Sequence, residues 1–111
     1  MTPKEIQKIN ELRDLFPREI NVSVSRSEGG IFLARVNTFK GIVTEGKTFI
    51  ELMEMINDAV RTYFEIPEKY LSYMPSYIPS MGLAQSLEEF PATEKKENVM
   101  LPLSSREEAP S

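Results

Sequence analysis

The chain contains neither cysteine nor histidine. Without cysteine there is no disulfide framework and no thiolate site. Without histidine, Ser–His and Cys–His catalysis, histidine metal sites and zinc fingers are excluded. Long apolar runs are also missing: nothing approaches the roughly 18 residues of a membrane span. The stretch TPKEIQKINELRDLF is charged throughout and lacks the apolar centre of a signal peptide. These absences lead to the expectation of a cytoplasmic protein, in which the N-x-S at Asn21–Ser23 meets no glycosylation enzyme.

What charge there is has a direction. The net charge is −4, but residues 1–47 carry 8 basic and 6 acidic side chains whereas 48–111 carry 5 and 11. An acidic balance argues against a general nucleic-acid binder, and the acidic second half is complementary to a basic partner. On composition alone the plainer account is a solvated acidic surface and tail.

Apolar periodicity organises the first two thirds. Thr2-Pro3-Lys4-Glu5 opens a helix, with Thr2 as cap, Pro3 in the first turn and Glu5 completing a capping box. Ile6, Ile9, Leu12 and Phe16 lie on one side, and Pro17 ends it. Residues 20–25 alternate apolar and polar, which predicts a strand with one wet face. Gly29 and Gly30 supply a turn into a second strand over 31–36, a hairpin. A loop over 37–40 precedes a brief third strand at 41–44. The period then changes to 3.6: Phe49, Leu52, Met53, Ile56, Ala59, Val60, Tyr63 and Phe64 form one broad face of a helix that ends before Pro67. Thr48 and Glu51 read as its capping box.

Six of the eight prolines lie beyond residue 66, which rules out long helices there. Residues 70–78 predict one short strand at a sheet edge, and 82–90 have room for two helical turns. From Pro91 onward the chain reads as flexible, ordered only on a partner. The expected organisation is an N-terminal helix over 1–17, an α+β domain over 19–80 and a proline-spaced acidic tail over 81–111. The fold expected is a three-stranded antiparallel meander, one packed helix and a short fourth strand (β-β-β-α-β), preceded by the N-terminal helix.

Residues 41–48, GIVTEGKT, match G-x-x-x-x-G-K-[ST], the phosphate loop of nucleotide hydrolases. A working loop wraps phosphates with backbone N–H groups and favours small interior residues. Here the interior is Ile-Val-Thr-Glu: Ile42 and Val43 prefer extended backbone, and Glu45 sets a carboxylate against a triphosphate. The only aspartates are Asp14 and Asp58, both in helical segments, so no later strand ends in a magnesium ligand. The match is therefore read as architecture: Gly46 turns the chain, Lys47 is solvated and Thr48 caps. Glu51, Glu54 and Asp58 share a helix ridge but oppose the apolar stripe, a solvated face. No catalytic constellation, metal site or cofactor site is expected.

Gly29-Gly30-Ile31-Phe32-Leu33-Ala34, Gly41, Thr44-Glu45-Gly46-Lys47-Thr48, Glu51-Leu52 and Ala59 together resemble the HicB-like antitoxins over residues 19–66. The resemblance implies a truncated relative of the ribonuclease H sheet that lacks its catalytic carboxylates. It also implies a non-catalytic protein that occludes a small basic RNA-cleaving toxin. The chain departs from the family in its extra N-terminal helix and in Asn37 where proline is common. It also has no helix pair beyond residue 80, so operator DNA binding by this chain alone is not expected. Residues 98–103 resemble the opening strand of a ribbon-helix-helix. The alternative is an orphan dimeric adaptor of the same fold without a toxin.

The cluster Tyr70, Tyr73, Met74, Tyr77, Ile78 and Met81 is the candidate partner-binding surface, because Tyr and Met suit interfaces. A domain of about 60 residues buries only ~60% of its unfolded surface, and a small sheet leaves an edge to cover. A homodimer is expected.

Overall fold

Thr2 opens the first helix as the sequence predicts. Its side chain accepts from the Glu5 backbone N–H, and the Glu5 carboxylate accepts from the Thr2 N–H at 3.0 Å. The bond from Thr2 N–H, joined by one from Thr2 Oγ1 to the same carboxylate at 3.1 Å, holds the Glu5 carboxyl below its ordinary range. This helix, α1, is Pro3–Arg13. The computed structural model describes residues 1–79, 82 and 97–104. After α1 come β1 (Glu19–Arg26), β2 (Phe32–Val36), β3 (Ile42–Gly46), α2 (Phe49–Tyr63), a 3-10 helix (Glu68–Tyr73), β4 (Ser76–Tyr77) and β5 (Glu97–Ser104). The fold is α+β, built on a five-stranded antiparallel sheet of order β3-β2-β1-β5-β4.

The sheet is two-faced because its strands alternate. Ile20, Val22 and Val24 of β1, Phe32, Ala34 and Val36 of β2, and Val99 and Leu101 of β5 are buried on one side. Leu52, Ile56 and Val60 of α2 meet them and are almost fully buried, each contributing about 1.5–3 kcal/mol of hydrophobic stabilisation. Helix α2 packs on β2 and β3 and also reaches β4. Since β3 and β4 are opposite edges, the sheet curls around the helix. Helix α1 contributes Ile9 and Leu12, followed by Phe16, while Ile6 stays half exposed. Phe16 sets its ring edge-on to Phe64 at 5.0 Å and beside Tyr77 at 6.5 Å, which closes one end of the core.

Three glycines are required for two physical reasons. Gly30 has φ of +86° in the β1–β2 turn and Gly41 has φ of +87° before β3, a region that disfavours side chains. Gly29 does not share that geometry, so only one residue of the pair supplies the turn's positive φ. Gly46 is needed for room instead. A Cβ there would stand 2.6 Å from the Leu52 backbone nitrogen. Just beyond it, Thr48 Oγ1 accepts from the Glu51 N–H at 3.0 Å, as expected. The Glu51 carboxylate, however, accepts from Lys47 N–H at 2.8 Å rather than from Thr48, so the box closes one residue early.

Helix α2 ends in a Schellman arrangement. Glu65 N–H donates to Thr62 O at 2.9 Å and Ile66 N–H to Arg61 O at 3.1 Å. Glu65 occupies the left-handed position with φ of 55°, where glycine is usual.

The expectation of a flexible chain beyond Pro91 is corrected at 97–104, which form β5 beside β1 in the middle of the sheet. Val99 and Leu101 alternate with exposed Asn98 and Met100, the same period-two pattern read in β1. The strand also accommodates Pro102: its carbonyl accepts from Ile78 N–H at 3.1 Å, and it has no N–H to leave unpaired. The remainder of the predicted tail, including the helical turns expected over 82–90, lies outside the described residues apart from residue 82.

Candidate partner-binding site

The predicted aromatic and methionine cluster divides. Tyr70, Met74 and Tyr77 are buried core residues, Met74 being 0% exposed. They are therefore corrected from surface to interior. Tyr73 and Ile78 are exposed, at 42% and 50%, and Met81 lies outside the described residues. Likewise Tyr63, expected on the core face, is half exposed and lies against Phe39, with ring centroids 4.9 Å apart.

Burial of this proline-spaced stretch depends on polar side chains of α2. Asn57 Nδ2 donates to Tyr77 O at 3.0 Å, and Tyr77 N–H donates to Asn57 Oδ1 at 2.6 Å. Arg61 donates to Pro75 O at 3.2 Å and to Ser76 Oγ at 2.6 Å. Tyr77 O–H reaches Pro17 O at 2.7 Å, and burial raises the phenol well above its ordinary value of 10.0. Asn57 and Arg61, four residues apart, thus act as a surrogate strand partner. The signal in the sequence is a pair of polar residues, Asn57 and Arg61, one helical turn apart beside an apolar stripe.

Between α2 and the segment 76–79 runs a groove of about 640 Å³. Its α2 wall is the row Ile50, Met53, Glu54, Asn57, Asp58 and Arg61, at the three- and four-residue spacing of one helix face. Ile50 is 68% exposed at one end, and Ile78 and Pro79 stand opposite. Glu54 and Asp58 are exposed on the rim. Glu54 and Asp58 were read from the sequence as part of a solvated ridge; here they border an apolar depression.

The sheet's other face has no element over it among the described residues. It carries a hydrogen-bonded ladder across strands. Ser23 Oγ donates to Asn98 Oδ1 at 2.6 Å, and Asn37 Nδ2 donates to Asn21 Oδ1 at 2.6 Å and Ser23 Oγ at 2.8 Å. Leu33, Val43 and Met100 are partly exposed beside it.

The phosphate-loop match takes an extended form. Ile42 to Gly46 pair with β2 from Val36 to Phe32, and Lys47 N–H is engaged by Glu51. That backbone is not wrapped into an anion cradle. Among the described residues, no three His, Cys, Asp or Glu side chains are grouped to hold a metal ion. No helix among them is long and apolar enough to cross a membrane. No protein-family model, no curated protein and no solved structure matches this chain.

Proposed function

We propose that this chain is a non-catalytic binding protein of the HicB-like antitoxin kind, which occludes a small basic RNA-cleaving toxin. The observation that carries the reading is how the residues of the resemblance come together. Gly30, Gly41 and Gly46 punctuate one continuous unit, the β1-β2-β3 meander running into α2. On this reading the meander, α2 and β4 stand for the β-β-β-α-β unit that the resemblance implies, with α1 and β5 outside it. On the open face β1 presents Glu19, Asn21, Ser23 and Ser25, and β2 presents Leu33 and Arg35, so these two strands carry one carboxylate there rather than a cluster. Such a face offers contact rather than metal-dependent hydrolysis.

The acidic half of the chain supports a basic partner. A homodimer belongs to the same reading: β3 is an edge strand, and exposed Val43 and Leu33 lie beside it.

Co-expression with the product of the adjacent reading frame tests the proposal. A small basic protein should co-purify with this chain and lose its RNA-cleaving activity in the complex. A stable chain that neither binds nor inhibits it would leave an adaptor of the same fold. Sedimentation of the purified chain tests the dimer.

A further inference from the structure

The groove between α2 and residues 76–79 combines an apolar floor with an acidic rim, and its geometry restricts what fits. We infer that it is the seat of a basic amphipathic helix from a protein partner. The inference rests on the binding-protein reading and adds where, and by what kind of element, the partner docks.

Three features select a helix over other occupants. First, the α2 wall runs from Ile50 to Arg61, a length of roughly 16 Å at 1.5 Å per residue. That matches about three turns of a second helix lying alongside, whose apolar residues recur at the same three- and four-residue spacing. Second, the strand opposite offers little main chain for an added strand. Both backbone groups of Tyr77 are taken by Asn57, Ile78 N–H is taken by Pro102 O, and Pro75 and Pro79 carry no N–H. An occupant must therefore bind through side chains. Third, the charges are sorted. Glu54 and Asp58 stand exposed on the rim, whereas the one cation of the wall, Arg61, is turned to Pro75 O and Ser76 Oγ. Lysine or arginine flanking an apolar stripe complements that rim, and an acidic helix is repelled by it. Ile50 and Ile78, exposed on opposite walls, would clasp the stripe.

The probe is an 18-residue synthetic peptide with leucine at three- and four-residue spacing and arginine between. It is titrated into the isotope-labelled full chain and followed by NMR. Two control peptides accompany it, one with the same composition scrambled and one with glutamate in place of arginine. Saturable shifts should fall on 50–61 and 76–79, with affinity at least tenfold above either control. Glu54→Lys with Asp58→Lys should weaken the arginine peptide at least tenfold and admit the glutamate peptide. The same spectra establish that this doubly substituted chain is folded. Shifts on the open sheet face, equal binding of the scrambled peptide, or indifference to charge reversal would each overturn the inference. So would a self-associated chain that Ile50→Asp converts to monomer, because a second copy would then own the groove. A toxin complex that forms undiminished with the charge-reversed chain refutes the groove while leaving the antitoxin reading standing. Peptide binding without any toxin complex does the opposite.

Discussion

Asn57 holds Tyr77 by both of its backbone groups, donating to the carbonyl at 3.0 Å and accepting from the N–H at 2.6 Å. One carboxamide thereby gives a buried edge residue the two bonds that a neighbouring strand would otherwise provide. Asn57→Leu leaves a buried donor and acceptor unpaired and should cost about 2–3 kcal/mol. Urea denaturation measures it, and a loss below about 0.5 kcal/mol would show that this pairing is dispensable.

Gly46 has no room for a methyl group, because the first turn of α2 lies against it. Gly46→Ala must push α2 away from β3 and should cost about 1–3 kcal/mol as an overpacking change. Gly41→Ala meets no neighbouring atom within 4 Å and is strained only by its φ, so about 1–2 kcal/mol is expected there. Thermal melts of the two variants measure the two costs, and a Gly46→Ala chain as stable as the parent would contradict the close approach of the Leu52 backbone.

Glu65 closes α2 from the left-handed region. Glycine adopts that conformation without the Cβ penalty, so Glu65→Gly should stabilise the chain by up to about 1 kcal/mol. A lower denaturation midpoint would contradict the assigned backbone geometry.

Tyr77 makes the fold sensitive to alkali. Its phenol ionises more readily in the unfolded chain than in the folded one, where burial raises it. The unfolded state therefore loses that proton first, and stability should fall as pH rises past the ordinary value of 10.0. Tyr77→Phe removes this dependence while losing the bond to Pro17 O, a cost of about 1 kcal/mol at neutral pH. Denaturation midpoints at pH 7 and above pH 10 should converge in the variant and diverge in the parent.

Removing β5 should abolish folding, because β1 would lose a partner along most of its length and the core would lose Val99 and Leu101. A chain stopped before Glu97 is expected to show no cooperative thermal transition. A normal transition would mean that the meander and α2 suffice alone.

What was legible in the sequence was local. Thr2–Glu5 and Thr48–Glu51 announce helix starts because a cap and its partner lie within one turn. Ile20, Val22 and Val24 mark a strand because side chains alternate across the pleat, and the apolar face of Phe49 to Phe64 marks a helix. Gly46, which the sequence marks as the turn of the chain, is instead the last paired residue of β3, and its need for glycine comes from an approach of 2.6 Å to the Leu52 backbone nitrogen that no local pattern announces.

What only the tertiary structure decided was non-local. Glu97–Ser104 pairs with a strand more than 70 residues away, with Asn98 opposite Ser23 and Met100 opposite Asn21. No spacing in the chain states such a pairing, and charge and prolines around it read as a solvated tail. The same holds for Met74 and Tyr77, whose residue types fit a surface as well as a core until Asn57 and Arg61 satisfy the backbone beside them. Composition and period determine which elements form. Which of them are neighbours depends on where distant polar groups find partners once the apolar faces have met, and that is settled only in three dimensions.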